Sequence, residues 1–244
     1  MKSFLSQEAL EILKTITKDR SRTNLLKRYE QDTLVFLVQR IPSWIKSDML
    51  TLIGFIGSLT VMLSFILATY INKDYLLLGI LGFMINWFGD SLDGRLAYFR
   101  NQPRKWYGFS LDLTVDWLTT IIIGCGYMIY TDGNWKILGF GFVVLYSWAI
   151  ITTLLRYKAT GKYTIDTGLF GPTEVRIIVS AILVVEVLLK GTIIYSAIFV
   201  CAILFLVNIF STIKLLRLAN HIDIEEKENK LKEQRNDRTI RNQY

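Results

Sequence analysis

Four aspartates lie in two neighbouring apolar stretches of the sequence, where ionisable side chains are rare and mark function. They are Asp90, Asp93, Asp112 and Asp116. If both stretches are helices, each pair shares one face, and two antiparallel helices joined by a short loop would point all four carboxylates into one space. Unpaired, these charges would repel one another in a low dielectric, and divalent cations relieve that repulsion. All-oxygen ligands suit Mg²⁺ or Mn²⁺, and a pair of such ions suits a reaction at phosphorus.

Small residues flank the acids at Gly94, Ala97 and Gly108. They remove side-chain bulk where a planar base or a ribose-pyrophosphate would lie against the backbone. Glycine and alanine also allow membrane helices to pack closely, so this feature alone is compatible with a purely structural role.

The composition places these residues in a membrane. The chain has 244 residues, 52% of them hydrophobic, and only three prolines, with a mean hydropathy of +0.35, which is too apolar for a water-soluble domain of this size. Six apolar runs are long enough to cross a bilayer. We therefore predict an all-α membrane protein with six transmembrane helices, at about 49–71, 75–99, 109–130, 135–155, 174–190 and 192–213.

The basic residues predict the orientation of these helices. With a cytoplasmic amino terminus, cytoplasmic segments hold 25 of the 28 lysines and arginines, so both termini and the acidic site are expected on the cytoplasmic side. The net charge of +7 then reflects topology and anionic lipid, with no need for nucleic acid as a partner. Residues 1–46 have apolar residues at helical spacing among basic ones, which predicts an amphipathic interfacial segment. The six-helix domain is expected over 47–215 and a charged cytoplasmic tail over 216–244.

Other polar residues in the apolar runs limit the chemistry. The only histidine, His221, lies in the tail, so any metal must be held by oxygen. Cys125 and Cys201 are interpreted as small buried hydrophobic residues. Glu186 and Lys190 are four residues apart, which predicts an ion pair or a contact between copies of the chain.

The acids belong to a longer pattern. The segment DSLDGRLAYFRNQPRKWYGFSLDLTVD, residues 90–116, resembles the signature of the CDP-alcohol phosphotransferase family, D-x2-D-G-x2-A-R-x8-G-x3-D-x3-D with a spacer that varies by a residue. All four acids, both glycines and the alanine match. Tyr98 stands where the pattern has arginine.

The resemblance implies a six-helix membrane fold, over about 45–215, with its active site open to the cytoplasmic leaflet. It implies transfer of a phosphoalcohol from a CDP-linked donor to a hydroxyl acceptor, with release of CMP, in phospholipid biosynthesis. Asp90, Asp93 and Asp112 would hold two Mg²⁺ or Mn²⁺ ions, and Asp116 would share a metal and act as general base. The donor would contact residues of the motif: Asp90, Gly94, Ala97, Arg100, Gly108 and Asp112. A homodimer is also implied.

Further basic residues are candidates for phosphate or acceptor binding. Arg104 and Lys105 either contact phosphate or set the topology. Arg156 ends one predicted helix, and the sequence GPTEVR, residues 171–176, opens the next. Its GPTE portion is similar to the choline and ethanolamine phosphotransferase branch, which implies that Glu174 lies near the acceptor. Glu174 and Arg176 pairing with each other or with Arg156 is the alternative.

Two other functions remain open. Carboxylates inside a membrane also form the ion sites of cation or proton transporters. A catalytically silent member of the family is the second alternative, because Tyr98 replaces the arginine of the motif.

Overall fold

The computed structural model describes Glu11, residues 27–161 and residues 172–241. These residues form seven α-helices and contain no strand, which confirms the predicted all-helical fold. Most of the predicted interfacial segment, the 162–171 connection with Gly171, and the last three residues lie outside the described part. The helices are α1 Lys27–Val38, α2 Ser47–Tyr70, α3 Leu76–Phe99, α4 Lys105–Tyr130, α5 Ile137–Thr160, α6 Pro172–Leu188 and α7 Thr192–Arg241.

Five segments within the described residues are long and apolar enough to cross a membrane. They are Ser47–Tyr70, Lys73–Phe99, Lys105–Tyr130, Gly133–Thr160 and Thr192–Lys230, and each overlaps one of the predicted spans. The remaining predicted span, 174–190, coincides with the shorter helix α6, which has 17 residues. Its crossing of the membrane, the orientation of the termini and the division into domains stay predictions.

Helices α2 and α3 have the most extensive contact of any helix pair in the described part of the chain, and glycines line the seam between them. A Cβ atom added at Gly57 would lie 2.6 Å from the carbonyl oxygen of Gly82, and one added at Gly89 would lie 2.6 Å from the Cα of Gly54. Only glycine allows the two backbones to approach so closely. This seam fixes α3, which carries two of the four aspartates, against α2.

The other helices pack around this pair. Helix α4 packs against α2 and α5, α5 against α7, and α6 against α3 and α7. The α5–α7 contact includes polar groups, because Asn208 donates to the Leu145 carbonyl at 2.7 Å and the Trp148 indole donates to Thr212 at 3.1 Å. Asn208 is 1% exposed, so its amide is satisfied inside the protein rather than in lipid.

Glu186 lies at the end of α6, and the predicted pairing with Lys190 or with another copy of the chain is wrong. Its side chain is buried, with 1% of the residue exposed. The carboxylate accepts hydrogen bonds from the Tyr130 hydroxyl at 2.8 Å, from the amides of Gly191 and Ile193 at 2.9 and 2.8 Å, and from the Thr192 hydroxyl at 3.2 Å. The first amides of a helix have no intrahelical partner and favour a negative charge. Glu186 therefore caps α7, whereas Lys190 is exposed.

Replacing Glu186 with alanine would leave buried amides of α7 without an acceptor. We expect Glu186→Ala to lower the free energy of unfolding by about 3 kcal/mol or more. Lys190→Gln is the matched control and should change it by less than about 0.5 kcal/mol, because the side chain is exposed. Unfolding in detergent measures both, and equal losses would support the ion pair instead of the cap.

Helix α1 is attached to α3 by a buried ion pair. Arg95 and Glu30 lie 3.9 Å apart, with side chains 3% and 2% exposed, and Arg95 also donates to the Ser91 carbonyl. Around the pair, Leu34 and Val38 of α1 lie in one apolar cluster with residues of α2 and α3. Because Arg95 lies inside the acidic motif, α1 is a fixed support of that motif.

Removing one partner of this pair would leave an uncompensated buried charge. We expect Glu30→Leu to destabilise the protein by about 3 kcal/mol, and the double variant Glu30→Leu/Arg95→Met to recover most of that loss. Unfolding curves of the two variants beside Tyr29→Ala, whose residue is 75% exposed, test this. A double variant that is less stable than Glu30→Leu would contradict it.

Candidate active site

Two helices meeting at one end of the bundle supply the four aspartates. Asp90 and Asp93 lie in the last turns of α3, and Asp112 and Asp116 lie near the start of α4. The connection between the helices, 100–104, is short, so the two helices are neighbours at this end. We call it the motif end; the opposite end contains the turns at 71–75, 131–136 and 189–191.

Three of the four carboxylates converge. One oxygen from each of Asp90, Asp112 and Asp116 lies within 4.8 Å of the others, and all three residues are partly buried. The donor atoms are carboxylate oxygens only, which fits a hard cation such as Mg²⁺ or Mn²⁺ and is a poor set for zinc. The cluster is therefore suited to hold a divalent metal.

The fourth carboxylate is held by α2. Asp93 is 6% exposed, and its Oδ2 accepts a hydrogen bond from the Thr51 hydroxyl at 2.7 Å. The Ser47 hydroxyl donates to its backbone carbonyl, also at 2.7 Å. Asp93 is not part of the group of three, and its predicted metal-binding role stays a prediction. In this arrangement it ties the motif to the start of α2.

Arg176 of α6 contacts the cluster directly. Its Nη2 lies 2.6 Å from Oδ2 of Asp90, and its Nε donates to Oδ1 of Asn86 at 2.8 Å. The side chains of Arg176 and Asp90 are 15% and 23% exposed. The sequence offered Glu174 as an alternative partner of Arg176. In the structure, the ion pair of Arg176 is with Asp90. Its guanidinium supplies positive charge beside three carboxylates.

Asn86 is a site residue that the sequence analysis missed. It is 5% exposed, and its amide nitrogen donates to the Gly54 carbonyl at 3.1 Å and to Ser58 Oγ at 3.0 Å. Ser58 Oγ in turn lies 2.8 Å from Thr119 Oγ1 on α4. The sequence did contain a signal for this role: Asn86 is a polar residue one helical turn before Asp90 in an apolar run. A side-chain amide buried in a membrane needs hydrogen-bond partners, so its presence there indicates polar neighbours.

Arg100, which was predicted to contact the CDP-linked donor, binds the segment that precedes α2. Its guanidinium donates to the carbonyls of Ile41 at 3.2 Å, Pro42 at 2.9 Å and Ile45 at 2.5 Å. These bonds fix the segment that leads from α1 into α2. Contact between Arg100 and a donor stays a prediction.

Arg104 lies immediately before α4 and forms an ion pair with Asp48 of α2. Its guanidinium carbon lies 4.2 Å from the centre of the Tyr107 ring. The hydrogen bond to Asp48 raises the pKa of Arg104 above its usual value, so the group stays cationic. Lys105, the first residue of α4, is exposed.

The two remaining candidates lie on α5 and α6. Arg156 donates to the Ser211 carbonyl of α7 at 3.5 Å. Glu174 is 6% exposed in the first turn of α6. Their roles toward a phosphate or an acceptor stay predictions, as do those of Arg104 and Lys105.

Gly108 differs from the glycines of the α2–α3 seam. A Cβ atom added to Gly108 would meet nothing within 4 Å, so protein packing does not require a glycine there. Gly94 and Ala97 are partly exposed on α3. Open space beside the backbone is therefore observed at Gly108.

These features together describe a helical protein with apolar helices long enough to cross a membrane and a cluster of carboxylate oxygens, between two of them, that could hold a divalent cation. The family described as CDP-alcohol phosphatidyltransferase matches residues 44–212, and the chain belongs to this family. No curated protein matches the chain. The matched range begins just before α2 and ends within α7, and it includes both halves of the acidic motif. Members of the family transfer a phosphoalcohol from a CDP-alcohol to an alcohol acceptor in the membrane and use divalent metals.

The contrast between Gly108 and Gly89 gives a prediction. Gly108→Ala should leave the stability unchanged or raise it by up to about 1 kcal/mol, because the position is helical and open. Its added methyl group should raise the KM for a CDP-alcohol donor about tenfold if the donor lies against this surface. Gly89→Ala should instead lower the stability by about 2 kcal/mol, because its methyl group meets the α2 backbone.

Unfolding in detergent and donor titration separate the two effects. A Gly108→Ala variant as unstable as Gly89→Ala would show that packing requires this glycine. A stable Gly108→Ala variant with an unchanged KM would show that the donor does not lie against it.

Proposed function

We propose that this protein transfers a phosphoalcohol group, either phosphatidyl or a small phospho-headgroup, from a CDP-linked donor to a hydroxyl acceptor, releasing CMP, in phospholipid biosynthesis. The observation that carries the proposal is the convergence of Asp90, Asp112 and Asp116 within 4.8 Å, inside the range that matches the family. Three of the four acids of the family motif thus lie close together.

In the proposed reaction, Asp116 is the general base. It takes the proton of the acceptor hydroxyl as that oxygen attacks the phosphorus atom next to the donor alcohol. The bond from this phosphorus to the bridging oxygen of CMP breaks, and CMP leaves with the bonding electrons. A base within hydrogen-bond reach of the attacking hydroxyl typically contributes about 10²–10⁴-fold to the rate.

Asp90, Asp112 and Asp116 would hold two Mg²⁺ or Mn²⁺ ions, with Asp93 as the fourth ligand of the motif. A bound divalent cation neutralises charge on the diphosphate oxygens and makes CMP a better leaving group. The three converging carboxylates support binding of Mg²⁺ or Mn²⁺, because the group offers only oxygen ligands and contains no histidine or cysteine.

The substrates would lie against the remaining motif residues. The open surface at Gly108 supports a donor site there, with Gly94, Ala97 and Arg100 as further contacts. Arg176 is the best supported of the candidate phosphate or acceptor contacts, because its guanidinium lies at the cluster. The other candidate contacts would also lie at the motif end; they are Glu174, Arg156, Arg104 and Lys105.

We also propose that α6 completes a set of six membrane helices and that the motif end faces the cytoplasm. The distribution of basic residues supports this orientation. A water-soluble CDP-alcohol would then enter from the cytoplasm and a lipid substrate from the bilayer. A homodimer is part of the proposal.

The transporter alternative has less support. Among the described residues, hydrogen bonds lead away from the cluster from Asn86 to Ser58, and from Ser58 to Thr119, where this chain of polar contacts ends. Further from the motif end lies a partly open pocket that is lined almost wholly by apolar side chains, including Phe65, Ile123, Leu138, Phe142, Val179 and Leu183. An ion crossing the membrane needs polar ligands along its route.

The test is release of CMP from CDP-alcohols, CDP-diacylglycerol and CDP-choline among them, by the purified protein with Mg²⁺ or Mn²⁺. We expect Asp116→Asn to reduce the rate of CMP release by at least about 100-fold. Asp132→Asn, an exposed aspartate at the opposite end of the bundle, is the matched control and should retain the wild-type rate.

CMP release that is unchanged in Asp116→Asn would contradict the base role. If the wild type releases no CMP from any of these donors, the transferase proposal fails. Gain of CMP release in Tyr98→Arg would then identify the protein as a silent member of its family.

A further inference from the structure

Asn86 and Asp90 present two acceptors to one guanidinium. The two residues are one helical turn apart on α3, so their side chains lie on the same face. Arg176 donates through Nε to Oδ1 of Asn86 at 2.8 Å and through Nη2 to Oδ2 of Asp90 at 2.6 Å. The planar fork of arginine can bridge two acceptors in this way, and the single ammonium of lysine cannot hold the same fixed plane.

The orientation of the Asn86 amide is determined by its neighbours. Arg176 has only donors, so the atom facing its Nε must be the amide oxygen. The Gly54 carbonyl has only acceptors, so the atom 3.1 Å from it must be the amide nitrogen. The same nitrogen lies 3.0 Å from Ser58 Oγ. Asn86 is therefore locked with its oxygen toward Arg176 by bonds to α2.

These contacts transmit the position of α2 to a carboxylate of the cluster. The bonds to Gly54 and Ser58 fix Asn86, Asn86 fixes the plane of the Arg176 guanidinium, and the guanidinium fixes one oxygen of Asp90. Partners that orient the ligands of a metal site typically change metal affinity by about 10–100-fold when they are removed. Without Asn86, Arg176 would keep Asp90 as its acceptor but lose its second anchor.

We propose that Asn86 is a positioning residue of the divalent-cation site and acts through Arg176 to set the orientation of the Asp90 carboxylate toward Asp112 and Asp116. This inference rests on the proposed function, because it assumes that the three carboxylates bind a cation. It adds a residue outside the acidic motif that determines how tightly the cation is held.

Asn86 also contributes to packing, and the experiment must separate the two roles. The polar chain continues from Asn86 through Ser58 to Thr119, which is 2.8 Å from Ser58 on the adjacent helix α4. Thr119→Val removes a partly buried polar contact from the same hydrogen-bonded chain but leaves Arg176 and both its acceptors in place. It is therefore the matched control for a purely structural effect.

The experiment is a titration of the full-length protein in detergent with Mn²⁺ alone, with the thermal unfolding midpoint as readout. We expect Asn86→Leu to need about 10–100-fold more Mn²⁺ than the wild type for half-maximal stabilisation. Arg176→Lys should behave in the same way, whereas Thr119→Val should titrate as the wild type does. If Asn86→Leu does not fold because of its branched side chain, Asn86→Ser gives the measurement with a smaller residue.

CMP release at increasing Mn²⁺ provides the second readout. In the Asn86 variants, kcat should approach the wild-type value once Mn²⁺ saturates, because the chemical groups are all present and only the affinity has changed. A loss of kcat that saturating Mn²⁺ does not restore would overturn the positioning role.

The other outcomes are also decisive. Equal shifts of the Mn²⁺ midpoint in Asn86→Leu and Thr119→Val, or no shift in either Asn86 variant, would overturn the inference while the proposed function stands. A wild-type protein that Mn²⁺ does not stabilise would overturn the inference, and the metal-dependent reaction would fail with it only if CMP release with Mg²⁺ or Mn²⁺ were also absent.

Discussion

Repulsion among carboxylates in a low dielectric is the constraint on which this structure depends. Asp90, Asp112 and Asp116 approach within 4.8 Å, and like charges at such separations inside a membrane protein require compensation and firm support. The Arg176 guanidinium contributes to the compensation through its ion pair with Asp90, and support comes from α2. The glycine seam allows α2 to lie directly against α3, which brings the Thr51 hydroxyl to Asp93 and the Gly54 carbonyl to Asn86. The helix that carries none of the four acids therefore determines where two of them lie.

The arginines around the motif make two kinds of contact: some hold neighbouring segments of the protein together, and one binds an aspartate of the cluster. Arg95 and Arg100 are bound by the protein itself, through Glu30 and through the carbonyls of residues 41–45. They attach α1 and the following connection to the end of α3. Arg176 instead comes from a distant part of the sequence and reaches the acids. Tyr98 occupies the position where the family pattern has another arginine, and Arg176 of α6 brings a guanidinium to Asp90.

The sequence predicted the parts of this arrangement that depend on one helix at a time. Continuous apolar runs predicted five helices that the structure contains as candidate spans, and the spacing of the acids predicted that α3 and α4 would direct carboxylates into one space. Contacts between helices were harder to predict from the sequence. The i, i+4 spacing of Glu186 and Lys190 favoured an ion pair, but the carboxylate binds the free amides of the next helix. The neighbour of Asp93 is Thr51, more than forty residues away, and the role of Asn86 depends on an arginine ninety residues later. No periodicity within one segment carries that information.

The short helix α6 is anchored by polar contacts near both of its ends. Arg176 binds α3 near the motif end, and Glu186 binds the start of α7 near the opposite end. The two residues are ten positions apart, or about 15 Å along a helix. Sliding α6 by one turn, about 5.4 Å, would break both sets of contacts at once, and a single inserted residue between them would rotate one anchor away from its partner. The helix thus has a fixed axial register, and the distance along the chain between the two anchors determines the geometry of the site as much as the anchors themselves.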